Sequence, residues 1–232
     1  MKELYSSDDN FIAEVCDLFK TKYPVFIFEF SGVYGLIAAN SFQGVKALDV
    51  AKNRLPHKFY SSVLGSQEIL SFAKPNKLVE LKESLIETFE GSFIRFVVDK
   101  KESNNALISN GTHQILIKRL FYRNVFKLLE NGLSKFMEPS PYFSFNYFAP
   151  ICSSANISGD IAGSITSKQR ALEFAKARNI KLFIHSKLNT LEQGSYPVFS
   201  IDENLNVKIE RKGLNDGLIL SKANRLFNNI SI

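Results

Sequence analysis

The sequence predicts an α/β fold: one mixed sheet with flanking helices, in a single domain. Three observations carry that reading. Helical and strand-like periodicities alternate through most of the 232 residues. Hydrophobic residues make up 45% of the chain, with 21 Phe and no Trp, which is ample for one sizeable core at this length. No internal repeat or long low-complexity linker divides the chain. One domain is therefore expected over 1–232, with a core at 10–213 and a C-terminal appendage at 214–232.

The elements follow in order. Residues 10–22 place Phe11, Ile12, Val15, Leu18 and Phe19 at helical spacing, with Asp8 or Asp9 as a cap. Residues 23–30, YPVFIFEF, form a continuous apolar run that predicts a buried strand, with Gly32 as breaker. A helix is expected over 42–52, a strand over 59–64, and helices over 66–72 and 76–88. SFIRFVVD (92–99) and QILIKRLF (114–121) are rich in branched and aromatic residues and read as strands. They flank an exposed turn at 101–105. A helix over 123–133 ends near Gly132 and leads to a Pro/aromatic loop at 138–150. PIC (150–152) opens onto the polar loop SSANISGD. SKQRALEFAKARN (167–179) is amphipathic, and three late strands follow in IKLFIHS, YPVFSID and NVKIERKG. The last twenty residues are expected to fray or to pack as a short helix.

Composition narrows the function. The net charge is +6, which favours anionic partners such as nucleotides, RNA or acidic membrane surfaces without choosing among them. Cys16 and Cys152 are isolated in sequence, so neither a zinc site nor a disulfide framework is expected, and the reducing cytoplasm is the default compartment. Cys152 reads as a small buried side chain. His57, His113 and His185 lack metal-ligand spacing and read as surface or hydrogen-bonding residues. No run of 18 apolar residues exists, so no membrane partner is expected. The N-terminal MKELYSSDDNF has no signal-peptide apolar region.

Three segments carry candidate chemistry. Lys52-Asn53-Arg54 follows the 42–52 helix. Off the helix, a Lys and an Arg two apart can converge on one anion as point charge and bidentate fork. The same pair also suits a solvated helix end that complements the dipole. Cys152-Ser153-Ser154-Ala155-Asn156-Ile157-Ser158-Gly159 offers hydroxyls, an amide and turn backbone N–H groups to an anion, or to its own turn. Ser31-Gly32-Val33-Tyr34-Gly35-Leu36 allows close backbone approach beside a flat, polar-tipped ring. It is neither a phosphate-binding GxxxxGK[ST] loop nor a dinucleotide fingerprint. The aromatic run Tyr142, Phe143, Phe145, Tyr147 and Phe148 reads as packing before base stacking.

In this order and spacing, VYGL, KxR and SSANISG after Pro150 resemble the YrdC-like family over residues 24–159. A weaker echo runs through Gly194 to Ile209-Glu210-Arg211-Lys212-Gly213. The resemblance implies a twisted mixed sheet with a concave basic surface, and a threonylcarbamoyl-AMP synthase. Threonine, or another amino acid, takes up bicarbonate as a carbamate that attacks the α-phosphate of ATP, with Mg²⁺ accompanying the triphosphate, for modification of tRNA. It implies catalytic roles for Lys52, Arg54, Ser154 and Asn156. Nucleotide or substrate contacts are implied for Ser31, Gly32, Tyr34, Lys118, Ser153, Gly194 and Arg211, and no resident metal site. Fixed cations and neutral donors around a multiply charged reacting centre fit that chemistry without a nucleophilic side chain.

The sequence departs from the family pattern mainly at the amino-acid end. Phe30-Ser31-Gly32 stands where the family has Thr-Asp/Glu-Thr, and Glu90-Gly91-Ser92-Phe93-Ile94 where it has Pro-Gly-Pro-x-Thr. Lys118-Arg119-Leu120 replaces Arg-x-Pro, and Tyr196-Pro197-Val198 replaces Ser-Thr-Val. A second reading is therefore a catalytically silent YrdC-like module that holds RNA or a nucleotide.

Overall fold

The runs of Phe and branched residues that predict strands become strands, because such side chains pack on a pleated surface. The structure is a computed structural model that describes residues 1–55, 60–63, 70, 73–74, 76–98, 108–109, 111–135, 150–186, 193–227 and 230–231. Its strands are β1 (Lys2–Tyr5), β2 (Val25–Phe30), β3 (Val33–Ala38), β4 (Ser61–Ser62), β5 (Ala73–Lys74), β6 (Ser92–Val98), β7 (Ile108–Ser109), β8 (Thr112–Ile117), β9 (Ile151–Ser154), β10 (Leu182–His185), β11 (Val198–Ile201), β12 (Val207–Arg211) and β13 (Ile230–Ser231). The described helices are α1 (Phe11–Phe19), α2 (Phe42–Lys52), α3 (Lys77–Glu80), α4 (Lys82–Thr88), α5 (Leu120–Ser134), α6 (Lys168–Ala177) and α7 (Asp216–Ala223). All the described strands join one mixed sheet in the order β1-β10-β2-β3-β9-β4-β8-β6-β11-β12-β13, with β5 on β6 and β7 on β8.

VYGL, to which the sequence pattern assigns no element, supplies the first four of the six residues of β3, which pairs with β2 in a hairpin closed by Ser31 and Gly32, and Gly32 takes φ 82°, where a side chain would be strained. β3 then pairs antiparallel with β9, setting Gly35 opposite Ser154 and Leu36 opposite Ser153. Two motifs far apart in sequence thus become neighbours through backbone pairing alone.

The ends of the chain differ from expectation. Lys2–Tyr5 forms an edge strand parallel to β10. The 214–232 stretch, read as an appendage that frays or packs as a short helix, supplies that helix as α7, adds β13, and buries Ile219, Ala223 and Phe227, the last against Phe89. The helix expected at 76–88 is interrupted at Leu81, and the strand expected over 114–121 gives way at Leu120 to α5. The 101–105 turn, the 138–149 loop with its aromatic run, His57, and the 66–72 helix apart from Leu70 lie outside the described residues.

The core lies between the sheet and its helices. Phe28 and Phe30 of β2 pack against Tyr122 and Phe126 of α5, with ring centroids 5.0–5.8 Å apart. Burying aromatic rings of this size is a main source of stability in such a core. On β6 the alternation is strict: Ser92, Ile94, Phe96 and Val98 are buried, while Phe93, Arg95 and Val97 face the other way. That second face is the floor of the cleft described next. No described helix is long and apolar enough to cross a membrane.

Candidate active site

Helix α2 delivers the first functional pair. Its N-terminus is capped by Ser41, whose hydroxyl accepts from Gly44 N–H at 3.1 Å. It ends at Lys52 because Asn53 enters the left-handed region (φ 47°, ψ 60°), and the N–H groups of Asn53 and Arg54 turn back to Val50 and Asp49. This reversal keeps Lys52 on the inner face, 2% exposed, and swings Arg54 toward β9.

Past Ser154 the chain leaves β9 and wraps the Lys52 ammonium. Nζ donates to Ser154 O (2.5 Å), Asn156 O (2.9 Å) and Asn156 Oδ1 (3.1 Å). Ser154 Oγ donates to the same Oδ1, and Ser158 N–H returns to Lys52 O at 2.8 Å. A buried ammonium has three protons to place, and here three oxygens replace its water. Lys52 therefore shapes the SSANISG loop; its charge reaches a ligand chiefly as a field.

Arg54 is placed differently. Its guanidinium lies 4.4 Å from the Tyr60 ring centroid, and Nη1 donates to Ser153 Oγ at 3.4 Å. Tyr60 is fixed in turn by donating to Asp49 at 2.5 Å. Burial lowers the pKa of Arg54, which stays charged, and burial followed by the Asp49 bond raises that of Tyr60.

Two more arginines face the same space. Arg211 donates to Tyr196 O at 2.8 Å, and burial lowers its pKa as well. Arg95 pairs with Glu210 at 3.0 Å and donates to Gln114 Oε1 at 2.8 Å; Gln114 donates onward to Ser61 Oγ at 2.6 Å. Together these groups line a cleft of about 640 Å³, large enough for a nucleotide-sized ligand.

The cleft brings together Lys52, Arg54, Ser153, Ser154, Asn156, Tyr34 and Arg211, all expected from sequence. Tyr34 is oriented by donating to Glu29 Oε1 at 2.8 Å, and burial, then that bond, push its pKa up. Four other expected residues are not among those lining the cleft. Lys118 Nζ is turned to Val63 O at 2.7 Å. Ser31 is buried and accepts from Arg119 at 3.2 Å, while Gly32 O accepts from Gly194 N–H at 3.0 Å. Ser31, Gly32 and Gly194 thus tie the β2–β3 turn to its neighbours, while Lys118 ties the end of β8 to the chain after β4.

Sequence reasoning did not single out Arg95, Gln114, Tyr60 or Glu210 as site residues. The available signal was Arg95, a lone cation at an outward position of an otherwise apolar strand. His113 and His185 are buried, the first against Ser62 Oγ (3.1 Å), the second against Glu3 (2.9 Å). Cys152 is buried as expected.

Against known proteins, sequence and structure give opposite results. No protein-family model and no curated protein matches the sequence. The structure matches the crystal structure of P. abyssi Sua5 complexed with L-threonine, with TM-score 0.71 at 18% identity, covering 99% of this chain and 62% of that one. It matches E. coli YciO with TM-score 0.63 at 10% identity, over 94% and 96% of the two chains. It also matches full-length HypF in its phosphate- and nucleotide-bound form, with TM-score 0.63 at 14% identity, over 87% of this chain and 29% of that one. The chain has the YrdC-like fold. It spans about three fifths of the length of the Sua5 chain it matches. On this fold the cleft is lined by cations, and Lys52, Arg54, Ser154 and Asn156 meet in it.

Proposed function

We propose that this YrdC-like chain forms an aminoacyl-carbamoyl adenylate: it couples an amino acid, bicarbonate and ATP in the cleft, as a threonylcarbamoyl-AMP synthase does, for transfer to tRNA. The observation that carries this reading is the convergence of Arg54, Arg95, Arg211 and the Lys52–Asn156 loop on one cleft of nucleotide size. The Sua5 structure described with L-threonine and the HypF structure described with phosphate and nucleotide support the choice of ligand classes.

The chemistry needs positioning and charge stabilisation. The amine adds to the carbon of bicarbonate and water leaves, giving a carbamate. A carbamate oxygen then forms a bond to the α-phosphorus of ATP as the bond to the bridging oxygen breaks, and pyrophosphate leaves with that electron pair. Arg54 and Arg211, held by Tyr60, Ser153 and the Tyr196 carbonyl, are cations that need no reorganisation as negative charge builds up. Magnesium enters with the triphosphate, held through phosphate oxygens and water. Among the described residues no group of three or more His, Cys, Asp or Glu offers it a cage.

The test incubates the protein with ATP, magnesium, labelled bicarbonate and a panel of amino acids. Pyrophosphate release and a labelled adenylate, both requiring amino acid and bicarbonate, are expected, with a loss of about 100-fold in Arg54→Ala. No adenylate with any amino acid would refute the proposal. In that case salt-sensitive nucleotide or RNA binding, reduced by the same substitution, would favour the silent binding module.

A further inference from the structure

Resting on the reading above, we infer that the amino-acid end of the cleft takes an aliphatic side chain, of the valine or leucine class, in preference to a hydroxylated one, and that Phe30 sets this preference. The floor is banded by sheet register. Leu116, Phe93 and Val198 are cross-strand partners and form one apolar row, while Gln114, Arg95 and Ser200 form the next, polar row. The apolar row continues to Phe30: Phe93 N–H donates to Pro197 O at 2.9 Å, and the adjacent Tyr196 ring meets Phe30 edge-on at 6.3 Å.

Phe30 stands where the apolar band meets the SSANISG loop. Its ring lies over Gly35, so close that a Cβ on Gly35 would sit 2.7 Å from Phe30 Cε2 and 3.5 Å from Ser153 O. A ligand whose polar head lies at Ser153 and Arg54 therefore turns its side chain toward carbon. Three hydroxyls on this side already donate within the protein: Tyr34 to Glu29, Ser154 to Asn156 and Ser195 to Ser164. A threonine hydroxyl buried on this floor would lose its water without gaining an equivalent partner.

Threonine and valine are near-isosteres, so their ratio isolates the hydroxyl. Adenylate formation is expected to favour valine over threonine in kcat/KM by about tenfold or more. Phe30→Thr is expected to shift the ratio at least tenfold toward threonine. Because Phe30 also packs against Phe28, Tyr122 and Phe126, Val33→Thr serves as the milder variant and should shift the ratio in the same direction. Threonine used as well as valine by the unaltered protein overturns the inference and leaves adenylate formation standing. If no amino acid is adenylated, the proposed reaction fails, and calorimetric titration with free valine, leucine and threonine still decides. Tighter aliphatic binding that weakens in Val33→Thr supports the inference. Equal or tighter threonine binding, or no binding of valine and leucine, overturns it.

Discussion

The two ends of the cleft are built on opposite principles. The Lys52 end is a closed polar knot in which one ammonium satisfies three oxygens and fixes the loop that carries Ser154 and Asn156. The Phe30 end is a carbon surface whose shape comes from ring packing and strand register. The polar end depends on every partner being present, because an orphaned buried group costs the full loss of its water. The apolar end tolerates exchange of one carbon surface for another of similar volume. Chemistry is thereby fixed at one end while specificity is free to drift at the other.

The sharpest way to break this comparison is Lys52→Ala. The half-buried carbonyls of Ser154 and Asn156 would lose the ammonium, Asn156 Oδ1 would keep only Ser154 Oγ, and a destabilisation of about 3 kcal/mol is expected, with loss of anion binding; urea titration reads the first and calorimetry with a nucleotide the second. A near-neutral result would mean that the loop holds its own shape. At the other end, Gly35→Ala forces a methyl into the Phe30 ring and should cost about 2 kcal/mol. Adding Phe30→Ala should relieve that strain, so the two changes should be strongly non-additive in a double-mutant cycle. Arg54→Lys keeps the charge but loses the fork and the stacking on Tyr60, and is expected to weaken nucleotide binding about tenfold.

The smallest effect concerns pH. Burial pushes Cys152 and Tyr122 each up to about 12, and burial with a carboxylate partner raises Tyr34 and Tyr60. An acid whose folded pKa exceeds its unfolded value stabilises the fold while protonated. That contribution is fully present below the unfolded value, near 9 for the thiol, and is lost as pH rises from there toward 12. The denaturation midpoint should therefore show no loss from these groups up to about pH 9 and fall above it.

Much of the polar end was legible in the sequence because its information is local. The helix over 42–52 ends where an Asn can turn it, and KNR and SSANISG keep their spacing. Legibility stopped where pairing across the sheet decides the outcome. Lys118 looked like a ligand contact, yet its place just past β8 turns it to Val63. Arg95 looked like an isolated charge, yet register sets it between Gln114 and Ser200 on the cleft floor. VYGL drew no element from the sequence pattern, whereas in the sheet Gly35 is a strand position that makes room for the Phe30 ring. Side-chain rings and hydrogen bonds can hold a fold after most sequence identity has gone, which is why the structure matches Sua5 at 18% identity where no family model matches the sequence.

The central claim is that one cleft seats a phosphate-bearing ligand between Arg54, Arg211 and the Asn156 loop. A crystal structure of the protein soaked with a non-hydrolysable ATP analogue and magnesium tests it most directly. The account predicts phosphate oxygens within hydrogen-bond distance of both guanidinium groups, with the Lys52–Asn156 bonds intact. Phosphates bound elsewhere on the protein, with the cleft empty at saturating analogue, would contradict it.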